Sequence, residues 1–230
     1  VKKEVLLFGS NGGLGTGVAE VFKKAGFDRY YFFDPMLENG SQGNEVFVKS
    51  GDLSDAENTK KVFEIVEPSK EKILFLFSTV GGFVGGKNIE DTTPAEVSKM
   101  FTMNFTVNYN ILAEFKKKVA ECAGGSAVFT SAFVSFAGEA GKAAYGASKS
   151  ALSHLVESGA EEGHAINLSV NAVAPYLIDT PANRSWLGDS VEVAMVKPKE
   201  IGELVVSLFN SYNFLSGNVL KIKHRFNELT

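Results

Sequence analysis

In the stretch GKAAYGASKSAL, residues 141–152, a tyrosine stands four positions before a lysine. Four positions is about one helical turn, so Tyr145 and Lys149 share one face of any helix formed there. A phenol beside an ammonium is equipped to donate a proton. Its pKa, near ~10 in water, must come down toward working pH for that task, and a cation one turn away favours the phenolate. Proton donation of this kind matters when hydride reaches a carbonyl or a conjugated nitrogen, because negative charge then builds on oxygen or nitrogen. The same spacing also occurs on ordinary helices, so the pair carries weight only if other residues place a hydride source beside it.

The glycine-rich stretch FGSNGGLG, residues 8–15, supplies such a neighbour. It follows the apolar run EVLLFG and opens the helical pattern GTGVAEVFKKAG, the context in which a glycine pattern becomes a dinucleotide-site hypothesis. Gly9 permits a tight exit from the strand, Gly13 lets the backbone approach a pyrophosphate, and Gly15 lets the helix pack close to the sheet. The anion would sit on free amides at a helix N-terminus. Glycines after a strand also make plain turns, and Asp34 is what strengthens the reading. It ends the run RYYFFD about twenty residues after the glycine turn, where an acid accepts bonds from ribose hydroxyls. A carboxylate there repels a 2'-phosphate, and the nearest arginine, Arg29, stands before that strand, so NAD(H) is expected over NADP(H). Asp52, in GDLSD, reads either as a helix cap or as a group meeting the adenine.

Strand-like and helix-like stretches alternate along the chain, the pattern of a parallel sheet covered on both faces. Strands are expected at EVLLFG, RYYFFD, EVFVKSGD, KILFLFST, SAVFTSA, INLSVNAVAP and GNVLKIK. Helices are expected at GTGVAEVFKKAG, with Ala19, Phe22 and Lys23 on one side, and at AENTKKVFEIVEP, stopped by Pro68. A long helix should start at a Thr93 cap with Pro94 in its first position and run to the double glycine at 124–125. Two more are expected at AAYGASKSALSHLVESGAEEG and PKEIGELVVSLFNSY. The fold class is therefore α/β, a doubly wound parallel sheet of the Rossmann type, in a single domain over residues 1–230.

Composition narrows the partners. With 23 basic against 27 acidic residues spread along the chain, there is no basic stripe for a nucleic acid. The apolar runs are far shorter than the ~20 residues that span a bilayer, and no charged-then-apolar leader precedes the first of them, so no membrane association is expected. A lone cysteine, Cys122, indicates a cytoplasmic protein, and three scattered histidines, His154, His164 and His224, give no metal site.

Taken in order, GSNGGLG, Asp34, GDL, STVGG, MNF, YGASK and PYLIDTP resemble the motifs of the short-chain dehydrogenase/reductase family over essentially the whole chain. The resemblance implies an NAD(P)(H)-dependent oxidoreductase in which Tyr145 donates the proton and Lys149 supports it and holds the cofactor ribose. It assigns Asn104 to a water relay near Lys149. It also places Asn11, Leu14, Leu53, Val80, Gly81, Pro175, Ile178 and Thr180 with the glycine turn, Asp34 and Asp52 at the cofactor. The family's substrate-orienting serine is replaced here by Ala132, leaving Ser131 as a substitute, with Ser135 more distant, or no serine at all. Alanine at that position, with VGGFVGG at 80–86, LIDTPANR at 177–184 and the terminal RFNELT, is similar to the dihydropteridine reductase-like subgroup, whose substrate is a quinonoid dihydropterin. Phe83 could stack on such a flat substrate or simply pack against the fold. Tyr176 stands where the family has a glycine, and residues 182–196, with Trp186, form a short substrate lid or a surface loop. Members of the family pair as homodimers or homotetramers through the helices carrying Asn104 and Tyr145. The competing reading is a non-catalytic dinucleotide-binding sensor.

Overall fold

The computed structural model describes residues 1–187, 195–223 and 226. Eight strands form one sheet: β1 (Lys2–Phe8), β2 (Arg29–Asp34), β3 (Gly40–Gln42), β4 (Glu45–Lys49), β5 (Lys72–Ser78), β6 (Gly124–Thr130), β7 (Leu168–Pro175) and β8 (Val219–Ile222). Their spatial order is β3-β4-β2-β1-β5-β6-β7-β8. Every pairing is parallel except β3 with β4, an antiparallel edge. Chain direction across the sheet reverses at β1, which lies between β2 and β5, and that switch point opens a crevice at the C-terminal ends of the strands.

The helices are α1 (Gly15–Phe22), α2 (Ala56–Phe63), α3 (Pro94–Phe101), α4 (Val107–Ala120), α5 (Ala143–Gly163), α6 (Pro181–Leu187) and α7 (Pro198–Asn210). Alternation along β1 shows why both faces need cover: Leu6 and Phe8 enter one core and Val5 and Leu7 the other. The first core is closed by Val62 and Phe63 of α2, Ile111 and Phe115 of α4, and Leu152 and Val156 of α5. The second is closed by Val18 and Phe22 of α1 with Ile201, Val205 and Phe209 of α7. Phe22 is fully buried and meets Phe77 and Phe209, so truncating it to alanine should cost about 3–5 kcal/mol.

Several boundaries differ from the sequence expectation. The buried side of α1 carries Val18 and Phe22, with Ala19 partly buried against the same core as expected, whereas Lys23 is exposed because the helix ends at Phe22 and the chain turns through Lys23–Gly26, with Gly26 at φ +75°. α2 likewise stops at Phe63, before Pro68. The long helix begins as expected, with Thr93 and Glu96 forming a reciprocal cap, but a π turn, Thr102–Thr106, divides α3 from α4. α5 occupies the residues expected of it.

Candidate active site

The site is built on the strand ends that face the crevice. β1 leads into Gly9, whose φ of +78° reverses the chain, and the turn then closes on itself as the Gly12 amide donates to the Gly9 oxygen. A Cβ on Gly15 would stand 2.0 Å from the Gly9 oxygen, so only glycine lets α1 start this close to the strand. The amides of Gly13 and Leu14 meet no protein acceptor among the described residues. A tight cradle with unclaimed donors at a helix N-terminus fits the pyrophosphate of a dinucleotide.

Asp34 is buried at the end of β2, its carboxylate accepting from the amides of Asn11 (3.1 Å) and Met36 (3.0 Å). The acid and the glycine turn are thus one hydrogen-bonded unit. Asp52 is exposed and accepts from the Ser54 amide and hydroxyl, bonds that hold its carboxyl below the usual range. The cap of α2 is Asp55, bonded to the Glu57 amide, so Asp52 is left free of that duty and faces the cleft beside Leu53.

Lys149 and Tyr145 lie at the other end of the same cleft, a cavity of about 980 Å3 whose walls also include Gly9, Asp52, Gly81 and Thr180. The Lys149 side chain is buried and its ammonium donates to the Thr130 carbonyl at the end of β6, across 2.7 Å. Burial pulls its pKa from 10.5 down to about 7. The same cause acts on Tyr145 in the opposite sense and pushes the phenol up to about 12. The sequence suggested a phenol pKa lowered by the lysine. Here desolvation disfavours both charged forms and outweighs the proximity of the cation. No protein group among the described residues hydrogen-bonds the Tyr145 hydroxyl, which leaves it available to a ligand, while the Phe83 ring meets the tyrosine ring edge-on at 5.0 Å.

Asn104 is fully buried in the π turn. Its amide group grips Gly82 from both sides, accepting from the Gly82 nitrogen and donating to the Gly82 oxygen, both at 3.0 Å, and it also donates to the Ser148 hydroxyl. Gly81 is thereby pressed into the gap: a Cβ there would lie 2.7 Å from Asn104 Oδ1 and 2.9 Å from Lys149 Nζ. Asn104, Gly81 and Lys149 come together as expected.

Ser131 does not join them through its hydroxyl. Its Oγ bonds to the Lys149 carbonyl (3.2 Å) and to Ser153 Oγ (2.8 Å), with Ser135 Oγ at 3.5 Å, a cluster set into α5. The expected stand-in for the missing orienting serine is therefore already committed, and Ser135 belongs to the same cluster. Thr180 packs its Cβ against the Gly13 position and caps α6 by accepting from the Asn183 amide. Pro175 ends β7, and Val80, Ile178 and Thr180 line the cleft with it. Of the expected lid, residues 188–194 and the Trp186 side chain lie outside the described residues, as do His224 and the tail apart from Phe226. Sequence reasoning missed Thr130 and Lys142. Lys142 lines the cleft and places its ammonium 5.8 Å from the Tyr176 ring. The only signal for Lys142 was its place three residues before Tyr145, and Thr130 acts through its backbone, which no side-chain pattern reveals.

A doubly wound sheet with a glycine turn at its switch point and a Tyr-Lys pair across the crevice defines a dinucleotide-dependent oxidoreductase fold. The sequence profile of the short chain dehydrogenase family matches residues 3–190, and the chain belongs to that family of NAD(P)-dependent enzymes. Among its relatives, dihydropteridine reductase of Dictyostelium discoideum is 27% identical over 192 residues, covering 83% of this chain and 80% of that protein. The 3alpha-hydroxysteroid dehydrogenase of Mediterraneibacter gnavus is 28% identical over 208 residues, covering 85% and 80%. Among solved structures, ElxO with NADP bound superposes with a TM-score of 0.83 at 22% identity, over 97% of this chain and 98% of that one. That likeness extends the agreement in fold beyond the matched residues. No helix among the described residues is long and apolar enough to cross a membrane.

Proposed function

We propose that the chain is an NADH-preferring reductase acting on a carbonyl or quinonoid substrate, with Tyr145 as proton donor and Lys149 as its electrostatic support. The observation that carries this reading is the shared cleft, in which a tyrosine hydroxyl with no hydrogen-bond partner among the described residues and a buried ammonium face the space that begins at the glycine turn. When bound, the dinucleotide supplies hydride. The unclaimed amides of Gly13 and Leu14, in the turn from Asn11 to Gly15, would hold its pyrophosphate, Asp34 its adenosine ribose, and Asp52 with Leu53 its adenine. Val80, Gly81, Pro175, Ile178 and Thr180, which line the cleft, would receive the nicotinamide end, and Lys149 would hold the neighbouring ribose.

Tyr145 enters the reaction protonated, as its raised pKa requires, and gives that proton to the substrate atom that gains charge. The phenolate left behind is what the Lys149 ammonium stabilises. Asn104 keeps the Gly81–Gly82 wall against Lys149, and a water held there would complete the relay. Preference for NADH rests on the Asp34 carboxylate. Lys49, its neighbour across the ladder, is paired with Glu38 at 3.2 Å, and Arg29 lies over the Tyr31 ring.

A narrower reading, dihydropteridine reductase itself, is favoured by the commitment of Ser131 and Ser135 within their own cluster. A quinonoid dihydropterin, reduced in a conjugated nitrogen system, has less need of a serine to orient an oxygen. Assembly as a dimer or tetramer through α4 and α5, where Tyr109 is exposed, belongs to the same proposal, as does a cytoplasmic location for a chain with one buried cysteine. The deciding experiment is NADH oxidation by the purified protein with quinonoid dihydropterin, ketones, aldehydes and quinones. Turnover on the pterin alone selects the narrower reading, turnover on simple ketones removes it, and silence on all of them overturns the proposal.

A further inference from the structure

We infer that Asn108 is a positioning residue of this reductase, fixing the Val80–Gly82 loop and the π turn in the register that seats Lys149. The inference rests on the proposed function and goes beyond it, because Asn108 neither lines the cleft nor belongs to the set that meets substrate or cofactor. It stands one helical turn after Asn104 and is fully buried. Its Oδ1 accepts from Ser78 Oγ at 2.6 Å, and its Nδ2 donates to the carbonyls of Val80 (3.2 Å) and Asn104 (2.9 Å). One side chain thus ties the end of β5, the loop after it and the π turn to one another.

The consequence for the site is geometric. Asn108 holds Val80 and Asn104 holds Gly82, so the loop is pinned on both sides of Gly81, the residue with no room for a Cβ beside Lys149 Nζ. In the π turn the Val107 amide reaches back to the Thr102 carbonyl, five residues before it, and the ladder is locally loosened. The side chain of Asn108 takes the Asn104 carbonyl at that loosened point. An apolar residue of similar size would fill the space but take the side-chain partner from the buried Ser78 hydroxyl and Asn104 carbonyl and from the part-buried Val80 carbonyl, so the amide is needed for a unique arrangement and not only for packing.

The test compares Asn108→Asp and Asn108→Ala with Ser78→Ala, which removes the strand side of the bridge and a long 3.4 Å bond from the Val80 amide but leaves both Asn108 amide bonds in place. Thermal stability, NADH affinity by fluorescence titration, and kcat and KM on the best substrate found would be measured for each. Asn108→Asp and Asn108→Ala are expected to lose on the order of 10–100-fold in kcat through a misplaced Lys149, with weaker NADH binding. Ser78→Ala should keep kcat within about twofold at a comparable loss of Tm, a difference of about 0.4 kcal/mol in barrier. If the Asn108 variants lose Tm but keep NADH affinity and kcat, the residue is structural only and the inference is wrong. In the wild type, the Asn108 side-chain amide protons, which bond the Val80 and Asn104 carbonyls, should exchange with solvent as slowly as core amides, and exchange at the rate of a solvated side-chain amide would overturn the inference even if no Asn108 variant folds. A wild type that binds NADH without turnover would remove the proposed function, while the NADH affinities of the variants would still decide the role of Asn108. Failure to bind either dinucleotide would overturn both.

Discussion

Lys149 Nζ donates to the carbonyl oxygen of Thr130 across 2.7 Å, so the last residue of β6 holds the ammonium that stands one turn from Tyr145. A carbonyl dipole compensates the buried cation only in part, and burial still lowers its pKa to about 7. The folded value lies below the unfolded value of 10.5, so the unfolded chain binds more protons between about pH 7 and 10.5. Stability attributable to this residue is therefore lowest below pH 7 and rises through that window, by at most about 5 kcal/mol. Lys149→Met should remove the rise. Denaturant unfolding of the cofactor-free protein at several pH values would measure it, and parallel curves for the variant and wild type would reject it.

The same titration should appear in catalysis. The pH dependence of kcat/KM reports the free enzyme, whose phenol stays protonated up to about pH 12 while Lys149 loses its proton near 7. If the ammonium supports proton donation, kcat/KM falls as pH rises through about 7. Lys149→Arg, with a cation that does not deprotonate, should lose that limb even if its overall rate drops. An unchanged limb in the arginine variant would assign the titration to another group.

Tyr145→Phe separates chemistry from binding. Because the hydroxyl has no protein partner among the described residues, its removal should change stability by less than about 0.5 kcal/mol. Turnover should nevertheless fall by about 10²–10⁴-fold, the usual contribution of a positioned proton donor. NADH affinity, measured by titration, should stay close to wild type. Retained turnover would transfer the donor role away from Tyr145.

What the sequence made legible were features carried by strong local signals. Alanine-rich periodicity marked α5 to both its ends, and the Thr93-Pro94 pair marked the start of α3, where the structure adds Glu96 to the cap. GSQGNE gave no apolar alternation from which to read β3, an exposed edge held only by its neighbour β4. The π turn was hidden because Met100, Val107 and Ile111 keep a helical apolar face across it, and a change from i+4 to i+5 bonding leaves little trace in composition. In the site, spacing placed Tyr145 and Lys149 on one face, but the direction of the tyrosine pKa shift depends on burial, which spacing does not report. The engagement of Ser131 was illegible for a related reason: Ser131 and Ala132 both border the cleft, and only the fold shows that the Ser131 hydroxyl is bonded to Ser153 and the Lys149 carbonyl.

Asp34 offers a prediction about cofactor choice. Replacing it with alanine removes the acceptor expected for the ribose hydroxyls and the charge expected to repel a 2'-phosphate. A hydrogen bond to a charged group is worth about 1.5–3 kcal/mol, so the kcat/KM ratio of NADH to NADPH should drop by about tenfold or more. Stability should fall too, because the Asn11 and Met36 amides lose their partner. The two effects separate in the ratio, which a uniform loss of stability leaves alone. A constant ratio would show that Asp34 ties the turn to β2 and does nothing for the cofactor.

The glycine turn makes the sharpest steric prediction. A Cβ on Gly15 would stand 2.0 Å from the Gly9 oxygen and under 3 Å from backbone atoms of Gly9 and Ser10, none of which can rotate away as a side-chain tip could. Gly15→Ala must therefore displace α1 from β1, at a cost of about 1–3 kcal/mol or more, and it must open the cradle whose amides are proposed to hold pyrophosphate. Gly40→Ala is the control, since nothing lies within 4 Å of its Cβ and the edge strand β3 is remote from the turn, so its effect should stay within about 0.5 kcal/mol. Denaturant midpoints and NADH titration on both variants would check the pair. If Gly15→Ala is destabilised yet binds NADH as the wild type does, the close approach of α1 serves packing alone, and the cofactor's phosphates must be held elsewhere.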